Sequence, residues 1–252
     1  MADLRAAPGR RFIDGDFSLP HVVGVWGRLQ REQAVTRGAA EERIVETGNP
    51  AWDGLAAGPP ERASRRASLV RDLGLSASAC WFCLAGQEEA GPQLEAVCGS
   101  LIGRGVVLLR PHPAEDLEPY RLLVERFPDR VRLATGAPLT DVLAASDACV
   151  TFHSTVNLES LLCGTPVITA ALGELRRTDR LINLEEFGLP VAFDVDALAA
   201  VAAEVARDAE GFRERMRLPI SRALEAALTN HRDGGAAARL AALIDPSLAV
   251  AA

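Results

Sequence analysis

Two adjacent hydroxyl residues, Ser154 and Thr155, open a segment with the pattern of a helix, and Glu159 follows within its first turns. Hydroxyls and unpaired backbone N–H groups at the start of a helix favour an anion such as phosphate. A carboxylate one turn later can accept hydrogen bonds from the diol of a ribose. The same pattern is also typical of a hydroxyl that caps a helix and an acidic residue in its first turn. These residues alone leave both interpretations open.

A histidine, His112, stands between Pro111 and Pro113 directly after a predicted strand. The two prolines stiffen this loop and provide no backbone N–H groups. A ring held in this way can donate a hydrogen bond to a phosphate or a nucleotide, and a local bond within the loop is the alternative. His153 also ends a predicted strand, and we interpret it as a structural residue.

Several other chemistries are absent from the sequence. There is no Gly-rich Walker loop, no metal-spaced set of His and Cys, and no nucleophile elbow. Cys80 and Cys83 have the spacing of a redox motif but lie in an apolar run, so the five cysteines are interpreted as buried structural thiols. Asp141 and Asp147 are interpreted as structural residues at a helix start and a turn. No metal, no cofactor and no catalytic acid or base is therefore identified.

Short apolar runs alternate with helical segments from residue 62 onward. This alternation predicts an α/β fold with a doubly wound, parallel, Rossmann-like sheet. Ligands of such sheets bind beyond the carboxyl ends of the strands, so Gln87, His112 and Ser154 are expected at one edge. The predicted strands are 79–85, 105–110, 130–134, 147–151 and, last, 165–169, and the predicted helices are 62–73, 92–103, 116–127, 139–145, 156–163 and the Ala-rich region 194–245.

The first 55 residues hold only two predicted strands, 21–26 and 43–47, and one predicted helix, 28–37. So short a segment buries too little surface for a core of its own. A Gly- and Pro-rich stretch at 54–62 predicts a linker. We therefore predict the remnant of an acceptor-side domain over 1–55, and a nucleotide-binding domain with C-terminal helices over 56–252.

Charge and composition narrow the class of protein. The net charge of −7 argues against a nucleic-acid-binding surface, which requires a basic field. No apolar stretch reaches the roughly 18 residues that span a membrane. An odd number of cysteines without a signal peptide predicts a cytoplasmic protein.

Five segments carry a resemblance to a known family. They are VLLRPHP (107–113), LAASDACVT (143–151), HSTVNLESLLCGTPV (153–167), VWG (25–27) with IVETGNPAWD (44–53), and DGGA (233–236). In order and spacing these segments resemble glycosyltransferases of the GT-B type that build capsule and surface polysaccharides. The pattern is similar to that of CDP-glycerol glycerophosphotransferases and bacterial sialyl- and Kdo-transferases, and more distantly to that of UDP-GlcNAc 2-epimerases.

This resemblance implies two Rossmann-like domains with the active site between them. It implies a nucleotide-activated donor of the cytidine or uridine type, either a sugar or glycerol, and a glycan or lipid-linked acceptor. It is also compatible with peripheral association at the inner face of the membrane, and with a homodimer or a partner that supplies the missing domain. The roles it implies are phosphate binding by His112, Ser154 and Thr155, ribose binding by Glu159, a donor-pocket wall at Gln87, and a turn between the domains at Asn49 and Pro50.

Two alternatives remain beside a transferase. A sugar-nucleotide 2-epimerase relative usually has a glycine pair after the serine, and Thr155 and Val156 occupy those places here. The other alternative is a non-catalytic or truncated nucleotide-binding protein, which the short first domain favours. We expect the chain as given to bind a pyrimidine nucleotide weakly and to transfer nothing by itself.

Overall fold

The computed structural model describes residues 22–57, 61–152, 154–173, 184–228 and 232–244. The chain divides into two compact units. The smaller unit comprises Met1–Pro59, Asp179–Ile182 and Ser221–Ala252, and the larger unit comprises Pro60–Thr178 and Asn183–Ile220. The predicted boundary after residue 55 lies close to this division, whereas the C-terminal segment groups with the smaller unit instead of the larger one.

The described part of the smaller unit contains a two-stranded parallel sheet with a small apolar core. The core is formed by Val25, Ala34, Ala39 and Ile44. A 3₁₀ turn at Pro50–Trp52 leads into a short helix. The elements are β1 (Val23–Val25), α1 (Arg28–Thr36), β2 (Ile44–Glu46), α2 (Asp53–Ala57) and α10 (Ala236–Ile244).

The larger unit is built on one sheet of six parallel strands. These lie in the order β5-β4-β3-β6-β7-β8, and every neighbouring pair is parallel. Strands buried on both faces give near-continuous apolar runs, which is why the sequence pattern predicted the first five of these strands along the chain. The strands are β3 (Trp81–Ala85), β4 (Val106–Arg110), β5 (Val131–Leu133), β6 (Ala148–Thr151), β7 (Val167–Ala170) and β8 (Val191–Ala192).

Helices cover both faces of this sheet, as a doubly wound fold requires. Helices α4, α5 and α8 share the main apolar core with Phe82, Leu84 and Val150 on one face. Helices α6 and α7 pack on the strands from the other side, and α3 packs against α6. The helices are α3 (Arg62–Leu73), α4 (Leu94–Ile102), α5 (Glu118–Arg126), α6 (Leu139–Ala145), α7 (Val156–Leu162), α8 (Val195–Arg207) and α9 (Ala209–Leu228).

One prediction about the elements was wrong. The strand at 165–169 is not the last one, because β8 follows it and pairs with β7. This strand has only two residues, too few to produce a periodic pattern. The division between the two units, at Pro59 and Pro60, falls inside the predicted linker at 54–62, of which α2 and the first residue of α3 take up part. In the part of the chain that the structure describes, no helix combines the length and apolarity needed to cross a membrane.

Candidate functional site

The strand order creates a switch point between β3 and β6. The chain runs from β3 outward to β4 and β5, then returns to the other side of β3 and runs outward through β6, β7 and β8. The loops after β3 and β6 therefore leave the sheet in opposite directions and open a crevice at its carboxyl edge, where such folds bind ligands. Gly86 and Gln87 follow β3, and Phe152 and Ser154 follow β6.

Gly86 allows two side chains to approach the end of β3 closely. A Cβ atom at this position would lie 2.0 Å from the Tyr120 hydroxyl and 2.4 Å from Oε2 of Glu115. The Gly86 N–H donates to the carbonyl of Arg110 at 2.8 Å, which ties this point to the end of β4. The missing side chain thus lets α5 and the loop after β4 pack against the switch point.

Internal hydrogen bonds hold the loop that carries His112. The backbone N–H of His112 donates to Oε2 of Glu115 at 2.6 Å, and the Ala114 N–H donates to Nδ1 of the His112 ring at 3.2 Å. The Glu115 N–H donates to the His112 carbonyl at 2.9 Å. Pro111 and Pro113 have no N–H group. Every backbone N–H group between residues 111 and 115 is therefore used inside the loop.

These bonds leave one donor on the exposed His112 ring. A neutral imidazole carries its proton on one nitrogen only. Because Nδ1 accepts from Ala114, the neutral ring carries its proton on Nε2. The loop can therefore offer the Nε2–H group to a ligand at the carboxyl edge.

The Ser154–Thr155 turn lies at the start of α7. The Val156 N–H donates to the Ser154 hydroxyl at 3.3 Å, so this residue contributes a local cap to the helix. A hydroxyl that accepts one bond still has a proton to donate. Both side chains are half-buried and hence reachable from solvent. The capping and the anion-binding interpretations are thus compatible with each other.

A buried polar pair joins the end of β6 to the first turn of α7, next to this turn. The Thr151 hydroxyl is hydrogen-bonded to Oδ1 of Asn157, and both residues are buried. The first turn of α7 also carries Glu159, which is half-buried. Buried and fully paired polar groups make a local structure rigid. The pair therefore fixes how α7 leaves the end of β6.

The structure brings most of the predicted site residues to one edge of the larger unit. His112 follows β4 and Ser154 follows β6, and both strands are neighbours of β3. At about 4.8 Å per strand spacing, these loops are about 10 Å apart. Asn49 belongs to the smaller unit, where its Oδ1 accepts from the Ala51 N–H at 3.0 Å and caps the 3₁₀ turn. His153 lies outside the described residues.

Sequence reasoning did not identify Glu115 and Tyr120. The Tyr120 hydroxyl donates to Oε1 of Glu115 at 2.8 Å. Burial, followed by the bond to Glu115, raises the pKa of Tyr120 above its ordinary value, so the phenol stays protonated. Glu115 stands three residues after His112, and this spacing is the signal that could have found it.

The carboxylates interpreted as structural lie elsewhere. Asp147 is buried at the amino end of β6, pairs with Arg62 and with Arg66 at 3.2 Å, and accepts from the Trp81 N–H at 2.8 Å. Asp141 pairs with Arg65 at 3.2 Å on the first turn of α6. Asp147 thus stabilises the edge opposite to the candidate site.

All five cysteines are free thiols, and Cys80 alone among them is only half-buried. Burial is the main cause that raises the pKa of Cys98 to about 11 and the pKa of Cys80 and Cys163 to about 12. A thiol with so high a pKa is a poor nucleophile at neutral pH. Among the described residues, no group of three or more His, Cys, Asp or Glu could hold a metal ion.

Comparison with known proteins gives matches in fold but not in sequence. No protein-family model matches the chain, and a comparison with curated proteins finds no match. A variant of the wall teichoic acid polymerase TagF, soaked with CDPG, matches with a TM-score of 0.67 and 17% identity over 92% of this chain. Anabaena HepE in complex with UDP and glucose matches with a TM-score of 0.56 and 15% identity over 88% of this chain.

The chain spans only 57% of the TagF chain and 63% of the HepE chain. At these identities the likeness shows the fold. The doubly wound, Rossmann-like α/β fold predicted from the sequence is confirmed by the six-stranded parallel sheet and by these neighbours.

Proposed function

We propose that the larger unit binds the nucleotide part of an activated donor, a nucleotide sugar or an activated glycerol, at the carboxyl ends of β3, β4 and β6. The observation that carries this proposal is the switch point between β3 and β6, because open α/β sheets bind their ligands at such points. His112 and the Ser154–Thr155 turn stand at the ends of the strands on either side of β3. An elongated ligand with several phosphate oxygens can accept hydrogen bonds from both of these separated groups.

Each site residue has a role in this proposal. The Nε2–H group of His112 and the hydroxyls of Ser154 and Thr155 donate to the donor's phosphates. Glu159 accepts from the ribose diol, and Gln87 lines the donor pocket. In the smaller unit, Asn49 shapes the turn that precedes α2. This turn comes shortly before the larger unit begins along the chain.

We further propose that the chain is a glycosyltransferase-like protein of the GT-B type in surface-polysaccharide biosynthesis. Its donor is of the cytidine or uridine type, and its acceptor is a glycan or a lipid-linked glycan. The fold likeness to TagF, soaked with CDPG, and to HepE, in complex with UDP and glucose, supports this class of donor. The five sequence segments that resemble surface-polysaccharide transferases support the same class.

A double variant tests the donor site. Ser154→Ala with Thr155→Val removes two hydroxyls, each of which contributes about 1.5–3 kcal/mol when it donates to a charged acceptor. Titration calorimetry with UDP, CDP, uridine and cytidine should show a loss of about a hundredfold or more for the diphosphates, because two such bonds sum to at least about 3 kcal/mol. The affinity for the nucleosides should change little.

The matched control is Ser76→Ala with Ser78→Ala. These two exposed hydroxyls are 3.1 Å apart and precede β3, at the amino edge of the sheet. This control should bind UDP and CDP like the wild type. Equal losses for nucleosides and diphosphates, or a loss in the control alone, would place the phosphate site elsewhere.

A further inference from the structure

Glu115 connects three parts of the candidate site. Its Oε2 accepts from the backbone N–H of His112 at 2.6 Å, and its Oε1 accepts from the hydroxyl of Tyr120 at 2.8 Å. Its Oε2 also lies close to Gly86, at the end of β3. Tyr120 is buried on α5 and so provides a rigid anchor. The loop after β4 is thereby joined to a helix and to the switch point through one side chain.

Attraction to an anionic ligand cannot explain a carboxylate at this place. A negative charge beside a diphosphate weakens its binding. Both oxygens of Glu115 are instead used as acceptors within the protein, and the side chain is half-buried. The geometry is that of a residue that holds a loop in place.

The loop that Glu115 holds determines which nitrogen of His112 can donate. The Ala114 N–H reaches Nδ1 only while the backbone turns at residues 112–115 as observed, with the Glu115 N–H bonded to the His112 carbonyl. The bond from the His112 N–H to Glu115 closes the same turn. If this bond is lost, Nδ1 loses its fixed donor and the ring proton can occupy either nitrogen.

We infer that Glu115 is a positioning residue that fixes the neutral His112 ring with its proton on Nε2. The further step, in which this Nε2–H group donates to the phosphates of a nucleotide donor, rests on the proposed function. Glu115 touches no part of the ligand in this scheme. It acts through the His112 loop, and Tyr120 holds its carboxylate in the required orientation.

Nitrogen-15 NMR of the imidazole tests the inference without any ligand. The spectrum is recorded above the pH range in which histidine titrates, and His112→Asn identifies the His112 signals among the four histidines. The wild type should show a protonated Nε2 and an unprotonated Nδ1. In Glu115→Ala the two nitrogens should move toward averaged shifts, because both tautomers become populated.

The binding of UDP and CDP provides the second readout. Glu115→Ala should weaken both by about tenfold, the factor that corresponds to one well-oriented hydrogen bond. Glu115→Gln should stay within about threefold of the wild type, because its amide can accept from the His112 N–H and donate to the Tyr120 oxygen. The matched control is Glu118→Gln, since Glu118 is exposed on α5 and pairs only loosely with Arg121, at 3.8 Å.

The outcomes separate the two proposals. A folded Glu115→Ala that keeps the Nε2–H tautomer and the wild-type affinity overturns the positioning role. If that variant does not fold, Glu115→Asp decides, because its shorter side chain cannot reach both donors and should also mix the tautomers. If the wild type binds no UDP or CDP, the proposed function fails, and the NMR result still decides the role of Glu115.

Discussion

At the residue scale, the contribution of a buried hydroxyl to stability depends on whether it has a hydrogen-bond partner. Thr165 and Thr169 are both buried, and the Thr165 hydroxyl donates to the Leu143 carbonyl at 2.8 Å. The Thr169 hydroxyl on β7 is buried and has no hydrogen-bond partner among the residues that the structure describes. A buried polar group without a partner destabilises the fold by the free energy of its lost hydration.

Thr169→Val should therefore stabilise the protein. Valine has nearly the same shape and suits a strand, so the change removes an unpaired hydroxyl without leaving a cavity. We expect the free energy of unfolding in urea to rise by about 1 kcal/mol. The control Thr165→Val should lower it by a similar amount, because it removes the buried hydrogen bond from the Thr165 hydroxyl to the Leu143 carbonyl. A loss of stability in Thr169→Val as large as that in Thr165→Val would contradict this account.

At the scale of elements, the smaller unit is held by contacts between segments far apart in sequence. The Asp53 carboxylate accepts from the N–H groups of Ala236 and Ala237 at 2.9 and 2.8 Å and caps α10. Arg239 on α10 donates to the Thr47 carbonyl at 2.9 Å. The TGNPAWD segment and the start of α10, at the end of the DGGA segment, thus bind each other.

Gly27 marks a tight contact between elements of this unit. A Cβ atom at this position would lie 2.5 Å from the carbonyl oxygen of Ala227 and 2.7 Å from the backbone of Leu228, both in the last part of α9, which groups with the smaller unit. Backbone atoms cannot move aside as a flexible side chain can. Gly27→Ala should therefore lower the free energy of unfolding by about 1–3 kcal/mol, the usual range for overpacking.

Gly54→Ala is the matched control for this change. Gly54 lies in α2 with open space around its Cα, and alanine favours a helix by about 0.8–1.0 kcal/mol over glycine. The control should therefore stabilise the protein, in the opposite direction to Gly27→Ala. Thermal unfolding of both variants checks the pair, and a neutral Gly27→Ala would show that α9 does not pack against residue 27.

At the scale of the whole molecule, the sequence pattern predicts the class of fold but not the order of the strands in the sheet. Fully buried parallel strands leave apolar runs, so the strands from β3 to β7 could be found, whereas the two residues of β8 leave no pattern. The order of the strands depends on contacts between distant segments. The position of the switch point between β3 and β6 therefore required the structure.

The same distinction applies to the candidate site. His112, Ser154 and Thr155 could be selected because each follows a predicted strand, and the carboxyl ends of parallel strands share one edge. The spacing of Glu115 from His112 could have drawn attention to this residue, but its role depends on its bond to Tyr120 and on its approach to Gly86. Such contacts follow from packing, not from any local pattern.

Hydrogen–deuterium exchange with and without saturating UDP or CDP tests whether a nucleotide binds at the carboxyl edge of the sheet. Peptides that cover residues 86–87, 111–115 and 154–158, at this edge, should exchange more slowly with the nucleotide bound. Peptides at the amino edge, covering 77–81, 104–106 and 145–148, should exchange as in the free protein. Protection confined to the amino edge, or no protection anywhere with either nucleotide, would contradict a donor site at the switch point.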